Sequence, residues 1–509
     1  MAGLIMERLQ EHAAARPDAV ALRGADQDVT YAALAAHVDT TARWLREERV
    51  AVLGLVTDNH PAAAIADLAT QAAGACVASL PPFFSDSQMW HALRDCGADG
   101  VLTDQPQRLE AVFRANGAPA PAFKSITLGG KALHWCEGVP GRRDPAALKG
   151  MAKVTYTSGT TGQPKGALLT QDAVDTVVRS LLPLIETRPG ERHMAALPLS
   201  LLLETVAGLY AALCAGAAYV VWPLAKVGLS GSSGLNVPAL VAALLETEAN
   251  VVISTPVVLR MLALAREMNA APPMPALRFI GVGGAAVSAG LVERAHRVGL
   301  PAFEGYGLTE MSSVVTLNSP SGNRPGSAGK VLPHVRVAFA PDGELLLGGP
   351  SLFSGYTGDV ASGIEGGMYA TGDLAQLDAD GYLHITGRKK NIFITAFGRN
   401  VSPEWVEREV STDRVIGQVV VFGEAKPFNT AVIFPVPGAA DADVDRVLAA
   451  VNPTLPDYAR VSRWVRADAP FTPANGQLTA TGKPLRNSIH AAYAERISAL
   501  YADDTATGG

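Results

Sequence analysis

Apolar and polar positions along the first 330 residues follow two alternating periods. Val154-Thr155-Tyr156 reads as a strand. A loop follows, and then Val174, Val177, Val178, Leu181 and Leu182 recur at helical spacing, which puts five apolar side chains on one helix face. Val251-Val252-Ile253 reads as a buried strand. So do Arg278 to Val282, ending in Gly283-Gly284, and Pro301-Ala302-Phe303. Ser288 is placed to cap the helix that follows it. Strands alternating with helices predict parallel sheets in a layered α/β domain.

The pattern changes from about Lys330 to Leu383. Val335-Arg336-Val337, Glu344-Leu345-Leu346-Leu347 and Tyr382-Leu383-His384-Ile385 are short strands separated by the turns Asp342-Gly343, Gly348-Gly349 and Asp380-Gly381. This predicts a small β-barrel-like subdomain closing the large domain. A basic cluster, Gly387-Arg388-Lys389-Lys390, comes next. Beyond it lie a strand at Ile392 to Thr395, a helix opened by Ser402-Pro403, and strands at Val419 to Phe422 and Thr430 to Phe434. The expected architecture is α/β: a large N-terminal domain over residues 1–386, a hinge at 387–391, and a small mobile α+β domain over 392–509. The tail from Asp503 is expected to fray.

Composition narrows the class. The chain has 509 residues, 48% hydrophobic and 18% charged, which excludes a disordered or fibrous protein. A net charge of −6 argues against broad nucleic-acid binding. Cys76, Cys96, Cys136 and Cys214 form no CxxC pair, so free thiols in a reducing compartment are expected. Met1 to Gln10 carries Glu7 and Arg8 and lacks a long apolar run, so no signal peptide is expected there. Thr205 to Ala225 is uncharged and long enough to span a bilayer. Its glycines, Pro223 and the β-rich Tyr219-Val220-Val221-Trp222 instead predict a buried helix followed by a buried strand. The expected location is cytoplasmic.

The sharpest chemical signal is Tyr156-Thr157-Ser158-Gly159-Thr160-Thr161-Gly162-Gln163-Pro164-Lys165-Gly166. Glycines let backbone N–H groups approach an anion, hydroxyls add donors, and Lys165 adds a point charge. The string is not a Walker A loop. Without its lysine it would read as a hairpin tip. Four of only 11 lysines fall at this loop, at the basic cluster and near the C-terminus, which suggests a use for compact, mobile ammonium groups.

At this point the chain resembles the acyl-adenylate-forming superfamily, which includes acyl-CoA synthetases, peptide-synthetase adenylation domains and luciferases. Thr157 to Gly166 looks like that family's phosphate loop. Gly305-Tyr306-Gly307-Leu308-Thr309-Glu310, Tyr369-Ala370-Thr371-Gly372-Asp373, Gly387-Arg388-Lys389-Lys390 and Leu478-Thr479-Ala480-Thr481-Gly482-Lys483 resemble its later motifs, in the same order.

The resemblance implies ATP-dependent formation of acyl-AMP and then transfer to a pantetheine thiol, of CoA or of a carrier protein. It implies a role for each matched residue. Lys483 bridges the attacking carboxylate and the α-phosphate, and Thr309 bonds that phosphate. Glu310 holds Mg²⁺. Thr157, Ser158, Gly159, Thr160, Thr161, Gly162 and Lys165 hold the terminal phosphates. Tyr306 and Gly307 form the adenine site, Asp373 accepts from the ribose hydroxyls, and Arg388 reaches ribose or phosphate. Lys390 is the hinge pivot, and Gly398 lines a pantetheine tunnel. The expected partners are a small carboxylic acid and CoA or an acyl carrier protein, with no nucleic acid and no membrane span.

The acid itself is read from Leu197-Pro198-Leu199-Ser200-Leu201-Leu202-Leu203-Glu204. Amino-acid-activating relatives place an aspartate in that region, and none stands here, so an uncharged acyl group is expected. The stretches around Ile394 to Val401 and Phe471 to Thr479 look most like the long-chain acyl-CoA synthetase branch. Two residues depart from it. Leu201 stands where many relatives have histidine, and Phe397 where long-chain relatives often have glycine. An aromatic acid therefore stays open beside a fatty one.

Overall fold

A computed structural model describes residues 3–138, 148–157, 164–230, 234–358, 362–479 and 482–502. Two large sheets organise the N-terminal part. In one, nine strands run in the order Lys330–Val331, Ser313–Leu317, Ala302–Leu308, Phe279–Val282, Val251–Ser254, Arg192–Met194, Ala218–Val220, Val20–Arg23 and Asp28–Thr30. The six strands from Ala302–Leu308 to Val20–Arg23 pair in parallel, and the outer strands pair antiparallel. In the other, seven strands run Lys124–Leu128, Lys131–Glu137, Gly100–Thr103, Val52–Val56, Cys76–Ser79, Met151–Thr157 and Lys165–Thr170.

Helices Tyr31–Glu47, Pro61–Ala73 and Gln171–Ile185 lie between these sheets. Their apolar faces share one core with Ala167 and Leu169 of the seven-stranded sheet and with Val251, Ile253, Phe279 and Phe303 of the nine-stranded one. The helix at 171–185 buries Val174, Val177, Val178 and Leu181, as the spacing predicts, while Leu182 packs at the margin. Ser288 caps its helix by accepting from the Leu291 N–H at 3.2 Å. All four cysteines are buried free thiols.

Past the glycine-rich string the chain forms a strand, Lys165–Thr170, paired antiparallel with Met151–Thr157 at the edge of the seven-stranded sheet. Thr205 to Ala225 holds a buried π-helix, Glu204–Tyr210, one α-turn and the strand Ala218–Val220. Among the described residues no helix is long and apolar enough to cross a membrane. The expected small β-barrel-like subdomain holds a five-stranded antiparallel sheet. Its last strand, Leu383–Arg388, does not close the sheet on itself. Its outer edge is taken by Ala328 and Gly329 of the large domain: the Ala328 N–H donates to the Leu383 carbonyl, and the Leu383 N–H donates to that of Gly329.

The C-terminal unit is a three-stranded sheet, Ile416–Phe422, Asn429–Pro435 and Val461–Arg466, packed with helices Pro403–Val410, Asp441–Val451 and Arg486–Ala502. It docks on the large domain through few contacts. Arg294 donates to the Thr412 carbonyl at 3.0 Å. Arg408 donates to the Ile385 carbonyl at 3.4 Å. Gly387 lies so close to Ser402 that a Cβ there would stand 2.0 Å from the serine hydroxyl. The expected frayed tail, Asp503 to Gly509, lies outside the described residues.

Candidate functional site

The strand Ala302–Leu308 ends in a register shift between Tyr306 and Gly307, followed by one 3₁₀ turn, Thr309–Met311. Gly307 is required by packing, because a Cβ there would stand 1.8 Å from the Ser313 carbonyl oxygen. Ser312 and Ser313 take φ of 56° and 110°, left-handed values that hold the Thr309-Glu310 turn at the end of the strand.

Asp373 is the focus of the first group of residues. It stands on the long strand Met368–Leu377, opposite Arg388 on the neighbouring strand. Arg388 Nε donates to Asp373 Oδ1 at 2.7 Å, and the Tyr306 phenol donates to Oδ2 at 2.6 Å. Gly372 takes φ of 71°, and its N–H is held by Glu344 at 2.9 Å. The Asp373 N–H is held by the Thr371 hydroxyl at 3.0 Å. Burial pushes the Asp373 carboxyl up, against the opposing charges of Arg388 and Lys483 and the Tyr306 bond. A carboxylate oxygen accepts more than one donor, so both oxygens keep capacity for hydroxyl groups of a ligand.

Lys483 reaches this group from the C-terminal unit. It lies on a turn in which its N–H donates to Thr479 Oγ1 at 3.0 Å and its carbonyl accepts from the Thr479 N–H at 2.8 Å. Its ammonium keeps a solvent-exposed side, yet partial loss of water lowers its pKa first. Arg388 and Lys390 lower it further, while Asp373 and Glu310 oppose them. Two carboxylates and two cations from outside the C-terminal unit's turn therefore act electrostatically on this lysine.

Glu310 accepts from the Tyr356 phenol at 2.5 Å. Lys165 starts its strand opposite Thr157, with Nζ 5.8 Å from the Tyr356 ring centroid. Ser158, Gly159, Thr160, Thr161 and Gly162 lie outside the described residues. Among the described residues no three His, Cys, Asp or Glu side chains cluster as a metal site. A single carboxylate such as Glu310 suits Mg²⁺, which keeps several waters and binds through one or two carboxylates plus substrate phosphates.

The segment from Gly387 to Asn391 is anchored on both sides. Lys389 pairs with Asp342 at 2.6 Å and Glu344 at 2.8 Å on the large domain, and Asn391 bonds Glu404 of the small one. Lys390 stands exposed between them. Gly398 takes φ of 71° with nothing within 4 Å of where a Cβ would stand, so here its backbone conformation, rather than a crowded neighbour, favours glycine. Sequence reasoning missed Tyr356 and Glu344. Glu344 was read only as part of a strand, and Tyr356 lies in a turn-like segment that bridges Ala167.

With the Asp373, Arg388 and Tyr306 contacts described, the comparisons decide the family. The AMP-binding enzyme model matches residues 9–357, and the AMP-binding enzyme C-terminal domain model matches 390–505. The chain belongs to the AMP-binding enzyme family. It is thus an adenylate-forming enzyme of the acid–thiol ligase class, and ATP or AMP is its nucleotide. A long-chain-fatty-acid–CoA ligase, FadD15, of Mycobacterium bovis is 28% identical over 86% of this chain and 86% of its own length. An indoleacetate–CoA ligase of Aromatoleum aromaticum is 29% identical over 82% and 85%. The fold matches the anthranilate CoA ligase AuaEII, solved with anthranoyl-AMP, with a TM-score of 0.79 at 20% identity over 96% of both chains.

Proposed function

We propose that this enzyme activates an uncharged carboxylic acid with ATP and passes the acyl group to the thiol of CoA. In the first step a carboxylate oxygen forms a bond to the α-phosphorus, and the bond from that phosphorus to the bridging oxygen of pyrophosphate breaks. In the second the thiol sulfur bonds the acyl carbon, AMP leaves, and the thiol proton passes to solvent. The observation that carries this reading is Asp373 held by Arg388 and Tyr306, with Lys483 of the other domain acting electrostatically on the same group. A cation at that point offsets charge on the phosphoryl oxygens and on an approaching carboxylate, whose mutual repulsion otherwise opposes bond formation.

Each remaining residue has one task. Asp373 holds the ribose hydroxyls, oriented by Arg388 and Tyr306. Tyr306 and Gly307 form a wall of the adenine site. Thr309 bonds the α-phosphate. Thr157 to Gly162 and Lys165 hold the terminal phosphates. Glu310 holds Mg²⁺, which neutralises polyphosphate charge when bound. Lys390 is the pivot, supported by its place between one anchor on each domain. Gly398 then faces the pantetheine of the second step.

The stretch Leu197 to Glu204 favours an apolar acyl group, fatty or aryl. Both kinds appear among the named relatives, one a fatty-acid ligase and one an indoleacetate ligase. AMP formation across acids of graded chain length and aromaticity, with and without CoA, tests the proposal. AMP that appears only with an acid and rises with CoA supports it. AMP release that ignores CoA and needs a phosphopantetheinylated carrier would move the second step to a carrier protein.

A further inference from the structure

Residues Phe353–Thr357 run as a strap, antiparallel to the strand that leaves the phosphate loop. The Leu168 N–H donates to the Gly355 carbonyl at 2.9 Å, and the Ser354 N–H returns to Leu168 at 2.8 Å. The Thr357 N–H donates to the Gly166 carbonyl at 2.7 Å, while the Gly166 N–H donates to Thr357 Oγ1 at 3.1 Å. A Cβ at Gly166 would stand 2.8 Å from that hydroxyl, so glycine lets the strap close.

The same strap grips Glu310. The Phe353 N–H holds the Glu310 carbonyl at 2.9 Å, and the Tyr356 phenol holds its carboxylate at 2.5 Å. The Tyr356 ring is fixed in turn. Phe353 packs edge-on against Tyr356 at 4.8 Å and Tyr369 at 5.5 Å, and the two phenol oxygens lie 3.2 Å apart. One side chain thus bonds the candidate metal carboxylate and lies beneath the phosphate-loop lysine.

We propose that Tyr356 is a positioning residue for acid activation: its hydroxyl aims Glu310, and its strap ties that carboxylate to the base of the phosphate loop, so that Glu310 and Lys165 meet the polyphosphate as one preorganised unit. This rests on the adenylation reading above. A free carboxylate rotor and a free hairpin would each have to be ordered when nucleotide binds, and the strap removes that cost beforehand.

The test is Tyr356→Phe, which deletes only the hydroxyl. ATP binding is titrated calorimetrically at graded Mg²⁺. The half-saturating Mg²⁺ is expected to rise about tenfold, the order of one lost hydrogen bond to a charged group. The melting temperature and acyl transfer from preformed acyl-AMP to CoA are expected to stay at wild-type values. Thr357→Val is the second variant and serves if the first loses its fold. It keeps the phenol and cuts the bond to Gly166, and ATP binding at saturating Mg²⁺ is expected to weaken about fivefold with the Mg²⁺ midpoint unmoved. A wild-type Mg²⁺ response in Tyr356→Phe, or wild-type ATP binding in Thr357→Val, overturns the proposal. A wild-type protein that binds no ATP at any Mg²⁺ overturns the adenylation reading instead.

Discussion

Arg388 and Asp373 face each other across two antiparallel strands, joined Nε to Oδ1 at 2.7 Å. The aspartate is almost fully buried and the arginine is partly exposed. The pair therefore fixes an acceptor in place more than it stabilises the fold, since an exposed partner can rehydrate. Asp373→Asn keeps the shape and removes the charge. ATP affinity is expected to fall at least tenfold with little change in melting temperature, read by calorimetric titration and thermal denaturation.

The domain seam gives a second prediction. Gly387→Ala would push a methyl group into Ser402 of the small domain. Adenylation is expected to slow severalfold, and small-angle scattering to show a larger radius of gyration. Ser402→Gly in the same chain removes the clashing hydroxyl and is expected to restore both. If the two effects simply add, the contact does not govern how the domains close.

Much of this arrangement was legible in the sequence, for physical reasons. Helix 171–185 and the buried strands declared themselves by period, because each must bury one face. Ser288 declared itself because a cap needs a side-chain acceptor at a fixed offset. The motif residues were legible as a family pattern, and the family models match the chain. Tyr356 was hidden. Ser354-Gly355-Tyr356-Thr357-Gly358 reads locally as a turn, and its partner Glu310 is 46 positions away. Local turn and strand signals marked the small β subdomain, but they do not say which edge a strand offers to which neighbour. Leu383 gave its edge to Ala328 and Gly329.

The turn at Gly398 supplies a third prediction. Gly398→Ala meets no neighbour, so its cost is that of a left-handed backbone, about 1 kcal/mol, confined to the turn. Acyl-AMP formation is expected within twofold of wild type, while transfer from preformed acyl-AMP to CoA slows at least tenfold. Single-turnover assays of each step separate the two. Equal slowing of both would place Gly398 outside the thiol path.

Stability should depend on pH through four buried groups. Burial pushes Glu204 and Glu304 up to about 8 from an ordinary 4.5, so the folded state holds protons that the unfolded chain gives up. Their contribution is complete below pH 4.5 and lost as pH rises toward 8. Burial lowers His193 to about 3 and His334 to about 4 from 6.5, so their contribution is lost as pH falls below 6.5. The two trends oppose each other between pH 4.5 and 6.5, and only the glutamates act above it. The melting temperature is expected to fall from pH 6.5 to 8.5. Glu204→Gln, which preserves the acceptor for Tyr219, is expected to reduce that slope by about half. An unchanged slope would mean that Glu204 is ionised in the folded state.

The account stands most directly on Lys483. Acid-dependent exchange of labelled pyrophosphate into ATP is to be measured for the wild type and Lys483→Ala, alongside transfer of preformed acyl-AMP to CoA. Loss of exchange by at least a hundredfold with transfer retained is the expected result. Exchange undiminished in the variant would contradict the assignment of this lysine to the adenylation site.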